Sequence, residues 1–544
     1  MKIKGSRLSI YPLFFVFLMV LGGGCSPVDR WGIFEPDYDD ISTKTRPNFS
    51  ENLDRFQPRM TDAGAIDQPV PDKQLTQNKK TNKLMALQNN RDLRIQQINP
   101  VISGTFDRIE RGAYDPEFFV DFEYNEETAT ETSRATGEQF AVEATGTESA
   151  AGIRQDLPTG TTLTATIEQA RDQSNRAPDQ RTARMELSIT QSILRGFGPA
   201  VNLVRIRQAE LDTLASIYEL RGFTETLLAD TEIDYWQYVL AREEISIYES
   251  SLAVARRQRD EIEEQIAVGL LPETEAAAAR AEVARREQAL IDARSLMAER
   301  RLRLLDRIDL AGDNQYEQEI QATSEPAIEP QPVSEPSDRL ALADKFRPDL
   351  NEARLRLKQG RLETIATRNG ILPKLDLFID YGRSGYADSF STAFRELNEN
   401  TYEVSAGMRL SHYLYNRAAE AEYEAAWTEQ RRAERAVDNL RQIISLDVRL
   451  AINEVERTRQ QIAASRATRR LEEQAVRAEN ERFKVGASTA LLVAQAQRDL
   501  LVAQIAEIQA VTNYRIALVN LYLAEGSLLH RRGITIGDRQ TTKF

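Results

Sequence analysis

Residues 437–455 read VDNLRQIISLDVRLAINEV, and the architecture can be worked out from this stretch. Its apolar residues recur at steps of three and four, and they are Val437, Leu440, Ile444, Val448, Ala451 and Val455. This spacing lines them up in one narrow stripe along an α-helix, as in the seam of a coiled coil. The stretch therefore predicts a helix that packs lengthwise against a second helix.

The predicted helical region extends far beyond this stretch and has a counterpart earlier in the chain. Residues 417–528 contain no proline, and residues 223–310 are similarly poor in helix breakers. Ala, Arg, Glu, Gln and Leu dominate both regions, and all five are strong helix formers. The breakers within the two regions are Gly269 and Pro272 in the first, and Gly486 and Gly526 in the second. Each region therefore predicts a long helical hairpin that turns at a glycine.

The expected lengths of the arms show how each hairpin is completed. At about 1.5 Å per residue, an outgoing arm over about 199–268 spans about 105 Å, but the return arm over about 270–311 spans only about 63 Å. A helix predicted over about 82–111 adds about 45 Å. Stacked end to end with the short arm, this helix would match the long one.

The second hairpin follows the same scheme. Its long arm (about 416–485) spans about 105 Å, and its short arm (about 487–528) together with a helix over about 339–371 spans about 112 Å. Short motifs also recur in the same order, which predicts an internal two-fold repeat. The predicted division is a signal peptide (1–24), an extended leader (25–80), a first repeat (81–312), a Pro- and Glu-rich linker in the equatorial region (313–338), a second repeat (339–530) and a C-terminal tail (531–544).

Each repeat also contains two segments in which apolar and polar residues alternate. They lie at 118–125 and 183–190 in the first repeat, and at 374–381 and 402–411 in the second. Alternation with period two predicts β-strands with one apolar and one polar face. A membrane barrel needs this pattern, and a half-buried soluble sheet has it too. Four strands cannot close a membrane barrel, so such strands would have to be shared between several chains. The polar stretch at about 126–180 is expected to be a long loop.

The N-terminus has the pattern of an export signal. Basic residues precede an apolar run from Ile10 to Leu21, which is too short to span a bilayer. The small residues before Cys25 resemble a bacterial lipobox, which implies lipidation of Cys25, and Ser26 after it implies sorting to the outer membrane. The alternative is an ordinary cleavage site next to an incidental cysteine.

The composition argues against several classes of protein. The chain has 544 residues, 28% of them charged, a net charge of -14 and a mean hydropathy of -0.48. Both signs of charge are interspersed, whereas a nucleic-acid-binding protein would show a basic patch. One cysteine and two histidines offer no zinc cluster, and no phosphate-binding loop or nucleophile elbow is present. We therefore expect neither an enzyme nor a cofactor.

Over roughly residues 82–530 the chain resembles the TolC-like outer-membrane efflux proteins. The resemblance rests on ordered motifs: Leu87-Gln88-Asn89-Asn90, Leu194-Arg195-Gly196-Phe197-Gly198, Arg347-Pro348-Asp349-Leu350, Leu372-Pro373, Phe483-Lys484-Val485-Gly486 and Ala524-Glu525-Gly526-Ser527-Leu528-Leu529. It implies a homotrimer in which four strands per chain form a shared transmembrane β-barrel above an α-barrel of long helices. It also implies that a periplasmic adaptor joins the channel to an inner-membrane pump.

The resemblance assigns a role to the two glycine turns. They would lie at the periplasmic tip and contact the adaptor, and their residues are Val268, Gly269, Leu270, Val485, Gly486 and Ala487. Glu273 and Glu275 follow the first turn. Three copies of them would form a ring of carboxylates that could act as a gate, as charged rings do in channels. The simpler interpretation is that they complement the positive end of a helix.

The sequence thus favours a passive outer-membrane efflux channel that is lipid-anchored and reaches into the periplasm. Two alternatives remain open at this stage. One is the outer-membrane channel of a type I protein secretion system, which would use the same fold. The other is a lipid-anchored periplasmic coiled-coil scaffold without a pore.

Overall fold

The computed structural model describes residues 58–60, 75–77, 85–132, 134, 136–309, 315–322, 329–397 and 401–536. These residues belong to one compact unit that begins at Asn52. The predicted signal peptide, Cys25 and most of the leader lie outside the described residues. The description below concerns the described residues alone.

The helices account for most of the described chain. They are α1 (Arg91–Arg111), α2 (Pro199–Asn202), α3 (Val204–Ala267), α4 (Thr274–Ile308), α5 (Pro336–Phe346), α6 (Pro348–Gly370), α7 (Phe390–Glu396), α8 (Arg417–Lys484), α9 (Ala490–Ala524) and α10 (Leu528–Arg531). Among them, no helix combines the length and the apolar character that crossing a bilayer requires. The prediction of a mainly helical chain with a smaller strand part is confirmed.

Two long helical hairpins, α3–α4 and α8–α9, have the predicted limits. The long helices have 64 and 68 residues, which corresponds to about 96 and about 102 Å. Both short helices have 35 residues. The apolar stripe of α8 is buried, with Val448 and Val455 fully inaccessible. Periodicity in the sequence therefore identified the packed face of this helix correctly.

The short arms are extended by separate helices, as the lengths predicted. Helices α1 and α4 both pack along α3, and the backbone N–H of Arg91 donates to the carboxylate of Asp309 at 3.0 Å where the two meet. Helices α6 and α9 both pack along α8, and α9 ends at an ion pair of 2.7 Å between Glu525 and Arg339. The single helix predicted over 339–371 is two helices, because Pro348 disfavours helical geometry at Arg347.

The strands form one large sheet and two small ones. They are β1 (Arg59–Met60), β2 (Leu75–Gln77), β3 (Glu117–Thr132), β4 (Gln139–Leu157), β5 (Thr161–Ser174), β6 (Ala177–Ser192), β7 (Ile320–Ala322), β8 (Lys374–Ala387), β9 (Glu403–Ser411) and β10 (Ile534–Thr535). The large sheet is antiparallel throughout and has the order β3-β4-β5-β6-β8-β9.

The large sheet corrects the predicted strand count. The four predicted strands are present as parts of β3, β6, β8 and β9, but two more strands, β4 and β5, lie between β3 and β6. The expectation of a long loop over about 126–180 is wrong, because those residues continue β3, form β4 and β5, and begin β6. Small and polar residues dominate this stretch, so its apolar alternation is weak and the strand pattern was missed.

The linker and the chain ends pack beside the middle of the long helices. Strand β7 of the linker pairs in parallel with β2 of the leader, and β1 pairs with β10 of the tail. The hydroxyl of Tyr238, near the middle of α3, donates to the carbonyl of Ile320 at 2.7 Å. Ile320 and Ala322 join a core cluster with Trp236 and Leu305. This part of the linker is therefore held against the helices.

Candidate functional site

The six-stranded sheet has one apolar face that runs without interruption from edge to edge. The strand register places six side chains in one transverse row on that face: Phe118, Ile153, Ala165, Leu187, Tyr381 and Val404. Phe118 is 62% exposed and Val404 is 59% exposed, although both are large apolar residues. A soluble protein rarely leaves such a surface open to water. The face requires an apolar environment.

The opposite face of the sheet is polar. One residue along from the apolar row, the register gives Glu117, Arg154, Thr164, Ser188, Asp380 and Ser405. Asp380 accepts hydrogen bonds from the hydroxyls of Ser188 at 2.6 Å and Ser405 at 3.0 Å, one on each neighbouring strand. Arg184 similarly pairs with Glu186 at 2.9 Å. A sheet with these two faces suits a wall between lipid and water.

One end of the sheet is fixed to the helices by hydrogen bonds. Below β6 and β8, the backbone N–H of Ile193 donates to the carbonyl of Leu375 at 2.8 Å. The amide of Asn416, just before α8, donates to the carbonyl of Ile371 at 2.9 Å. Near the start of β3, the hydroxyl of Tyr114 donates to the carbonyl of Asn202 at 2.6 Å. The polar face and the helical hairpins are thus parts of one continuous structure.

The opposite ends of the hairpins carry the two predicted glycine turns, which have the same geometry. Gly269 has φ +77° and Gly486 has φ +74°, a region that favours glycine. In the first turn, the N–H of Leu270 donates to the carbonyl of Gln265 at 2.8 Å. In the second, the N–H of Ala487 donates to the carbonyl of Arg482 at 2.8 Å. Both helices therefore end in the Schellman motif.

The structure brings the two turns together at the same end of the molecule. Ile262 and Ala279 from the first hairpin share a small buried cluster with Ala490 from the second, and Phe483 packs against it. The tips of the turns remain outside this cluster. Val268, Leu270 and Val485 are 66%, 74% and 78% exposed. The exposed apolar residues of both turns thus lie beside the shared cluster, and together we call them the joint tip surface.

The acidic residues after the first turn lie at the start of α4. Glu273 is the N-cap residue of α4, and Glu275 lies in its first turn. Glu273 is exposed and makes no capping hydrogen bond from its side chain, and Glu275 is half-buried. The second hairpin uses Thr489 at the corresponding position, and its side chain accepts from the N–H of Leu492. The two tips therefore share the glycine turn but differ in charge and in the backbone conformation of the N-cap residue, which is αR at Glu273 and extended at Thr489.

A buried ionic cluster joins the two hairpins near the tip, and the sequence analysis did not identify it. Glu282 on α4 lies 2.8 Å from Arg286 of the same helix and 3.2 Å from Arg498 on α9. The side chains of Glu282 and Arg286 are each 5% exposed. The i, i+4 spacing of the first pair is readable in sequence, but the partner on α9 is not.

A second group of buried carboxylates lies near the chain's C-terminal end and was also missed. Glu232 on α3 makes two hydrogen bonds of 2.8 Å with Arg532, and its side chain is fully buried. Glu525 is equally buried and pairs with Arg339 and Arg531. Burial raises the pKa of Glu225 to about 7, although it accepts a hydrogen bond from the N–H of Leu529. This group fastens α10 and the tail to α3.

The comparison with known families agrees with this geometry. Residues 340–527 match the family described as outer membrane efflux protein. This segment belongs to that family. It comprises the predicted second repeat almost completely, from within α5 to just past the end of α9. The resemblance to TolC-like efflux proteins, predicted from short motifs, is thereby confirmed. No curated protein sequence matches the chain.

Solved structures of outer-membrane channels share the fold of this chain. The Campylobacter jejuni CmeC channel is 16% identical, with a TM-score of 0.58 over 86% of this chain and 91% of that one. The open state of Neisseria gonorrhoeae MtrE is 19% identical, with a TM-score of 0.55 over 87% and 97%. The Vibrio cholerae outer membrane protein VceC is 15% identical, with a TM-score of 0.58 over 84% and 96%. The likeness extends over both helical hairpins, beyond the segment that matches the family.

Proposed function

We propose that the chain is a passive efflux channel of the bacterial outer membrane, assembled as a homotrimer. One observation carries the proposal: an unbroken apolar face and an opposite polar face cross all six strands of a sheet joined to long helical hairpins. In a closed barrel the apolar face would meet lipid and the polar face would line water. The family match of residues 340–527 supports an efflux role.

The proposed homotrimer is inferred from the number of strands in the sheet. A single chain supplies six strands, whereas the smallest outer-membrane barrels have eight. Among the described residues, β3 and β9 each have one edge without a partner strand. In the trimer, β9 of one chain would pair with β3 of the next and close the wall. The helical hairpins would continue that wall into the periplasm.

The joint tip surface is the proposed contact with a periplasmic adaptor, which would connect the channel to an inner-membrane pump. Its exposed apolar residues, Val268, Leu270 and Val485, support this assignment. Glu273 and Glu275 would form a carboxylate ring there in the trimer. Lipidation of Cys25 would add an anchor in the outer membrane.

Two measurements test the channel. The purified protein is reconstituted in planar bilayers, and we expect stepwise ion conductance, because the polar face would enclose water. In parallel, outer-membrane extracts are run on gels with and without boiling, and we expect a trimer that dissociates on heating. A monomeric protein that conducts no ions would overturn the proposal and leave a scaffold without a pore.

A further inference from the structure

The hairpin formed by β4 and β5 is present in the first repeat only. In the second repeat, β8 and β9 are joined by a connection that contains the short helix α7. In the first repeat, the corresponding strands β3 and β6 are separated by two additional strands. The hairpin therefore raises the contribution of one chain to the large sheet from four strands to six.

The strand pairing shows that this hairpin is part of the wall. Strand β4 pairs with β3 from Gln139 to Arg154, and β5 pairs with β6 along its length. The apolar face continues across both inserted strands through Ala151, Ile153, Leu163, Ala165 and Ile167. A flap lying on the barrel would leave β3 and β6 paired directly and would not need this continuous face.

The turn between β4 and β5 is built into the junction of sheet and helices. Asn202 donates from its side chain to the carbonyl of Pro158 at 3.0 Å and to the carbonyl of Gly196 at 2.8 Å. The N–H of Gly198 donates to the carbonyl of Thr159 at 3.1 Å. Gly160 has φ +82°, and a Cβ there would lie 2.2 Å from the carbonyl oxygen of Gly196. The inserted strands thus begin at the same level as the rest of the wall.

The inserted strands also add charge to the polar face. Alternation places Glu148 and Asp156 of β4, and Glu168 and Asp172 of β5, on that face. Arg154 is the basic residue that accompanies them. Rings of acidic side chains favour cations in channels. The hairpin would therefore increase the preference of the passage for cations as well as its width.

We propose that the β4–β5 hairpin widens the outer-membrane passage, so that it admits bulky hydrated substrates, with cations favoured. This inference rests on the proposed channel function. Barrel diameter grows roughly in proportion to strand number, so six strands per chain instead of four give about a 1.5-fold larger diameter, whatever the number of chains. In a trimer the wall would have 18 strands, a number at which barrels leave an aqueous channel.

The test measures how large a reagent can reach the polar face inside the barrel from outside the cell. Ser405→Cys places a thiol there, and whole cells are treated with maleimide-polyethylene glycols of graded size. The same substitution is then made in a variant in which residues 129–176 are replaced by Asn-Gly. That turn places Thr128 opposite Ala177 and keeps Phe118 and Leu187 on one face. Thr401→Cys, next to the outward end of β9, serves as the accessible control.

We expect the size limit for labelling Ser405→Cys to fall by about 1.5-fold in radius when the hairpin is removed. The Thr401→Cys control should react with every reagent in both backgrounds. An unchanged limit would overturn the widening while leaving the channel intact. If even the smallest reagent failed to reach Ser405→Cys, the water-filled lumen itself would be disproved.

Three further double variants keep the test valid if the shortened protein does not assemble. In the full chain, Phe118→Cys with Ile153→Cys should form a disulfide on oxidation, because these residues face each other on neighbouring strands. Phe118→Cys with Leu187→Cys should not, because three strand spacings, about 14 Å, separate them. Disulfide formation in the second pair would show that β3 meets β6 and overturn the proposal. Glu148→Gln with Glu168→Gln should lower cation selectivity without changing the size limit.

Discussion

The two long helices α3 and α8 are similar in length but differ in what they bury. Helix α8 buries an apolar seam, with Thr458 as its one buried polar side chain among the described residues. Helix α3 buries Glu225, Glu232 and Glu244 together with aromatic residues. The difference follows from their neighbours, because α3 contacts both α6 and α9 of the second repeat in addition to its own partners. Two helices of similar length can thus bury different side chains because their positions in the packing differ.

The sheet and the tips also differ in how closely the two halves of the chain resemble each other. At the tips of the two hairpins, α3 and α8 end in the same glycine turn with corresponding backbone hydrogen bonds. The sheet portions differ by a whole hairpin. A turn between two helices is fixed by local backbone geometry, whereas an antiparallel sheet accepts an added hairpin wherever both flanking strands can pair with it. The two additional strands β4 and β5 are therefore compatible with helical hairpins that end in the same turn.

The largest effect on stability is expected at Glu282, whose buried ion pairs with Arg286 and Arg498 join the two helical hairpins. Glu282→Leu would leave Arg286 buried without its carboxylate, which we expect to destabilise the protein by about 3–5 kcal/mol. The measurement is urea unfolding of the purified protein, followed by helical circular dichroism. The double variant Glu282→Leu with Arg286→Leu should recover most of the loss, since no charge is then left unpaired. Equal destabilisation by the single and double variants would show that the ion pair does not matter.

The next prediction concerns how stability depends on pH. It distinguishes α3, which buries Glu225, from α8. The pKa of Glu225 is about 7 in the folded protein and 4.5 when unperturbed. Between these values the unfolded chain has released this proton and the folded chain has not, so stability should fall as pH rises from about 4.5 to about 7. The total is at most about 3 kcal/mol. Arg221 and Arg347 oppose the shift but are outweighed by burial.

Glu225→Gln removes this titration, so the variant should lose less stability than the unmodified protein between pH 5 and pH 8 in urea unfolding. The matched control is Val448→Ala in α8, which buries no titratable group. It should cost about 2 kcal/mol equally at both pH values. If the Glu225→Gln variant kept the pH slope of the unmodified protein, the burial of Glu225 in α3 would not be the cause of the fall in stability with rising pH.

A smaller effect contrasts the ends of the two short arms. Gly526 after α9 has φ +65°, and a Cβ there would lie 2.7 Å from the Cα of Arg347. Gly526→Ala should therefore cost about 2–3 kcal/mol. After α4 the corresponding residue is Asp309, which has φ +48° and already carries a side chain. Asp309→Gly relieves the positive φ but loses the hydrogen bond that the carboxylate accepts from the N–H of Arg91, so the opposing effects should leave stability within about 1 kcal/mol. Thermal unfolding of both variants measures the difference between their stability changes. Equal shifts in melting temperature would contradict the prediction.

The smallest expected loss of stability concerns the glycine turns at the tips. Nothing lies within 4 Å of a Cβ built on Gly269 or Gly486, so alanine would meet only the strain of positive φ. Gly269→Ala and Gly486→Ala should each cost about 1 kcal/mol, with the two values alike. The difference in melting temperature between the two variants is the measurement. A clear inequality would mean that contacts beyond the turn, such as those of Glu273, distinguish the tips.

Much of this architecture could be predicted from local sequence. The stripe of Val448 and its neighbours marked the packed face of α8, because helical periodicity is written directly in the order of residues. The turns at Gly269 and Gly486 were found because only glycine adopts their backbone geometry without strain. The four strands with strong alternation were predicted because a period of two residues is also visible in the local order of residues. Strands β4 and β5 were missed because small and polar residues weaken their alternation.

The sequence alone determined the helical hairpins, their lengths, their turns and the alternating faces of four strands, since each depends on residues close together in the chain. The tertiary structure decided the insertion of β4 and β5 into the sheet, the joining of the two tips and the burial of Glu225 and Glu282. These features depend on partners far apart in sequence, such as Arg498 for Glu282 and Leu529 for Glu225. Burial and pairing of charge arise only when the helices are packed, so no local pattern could reveal them.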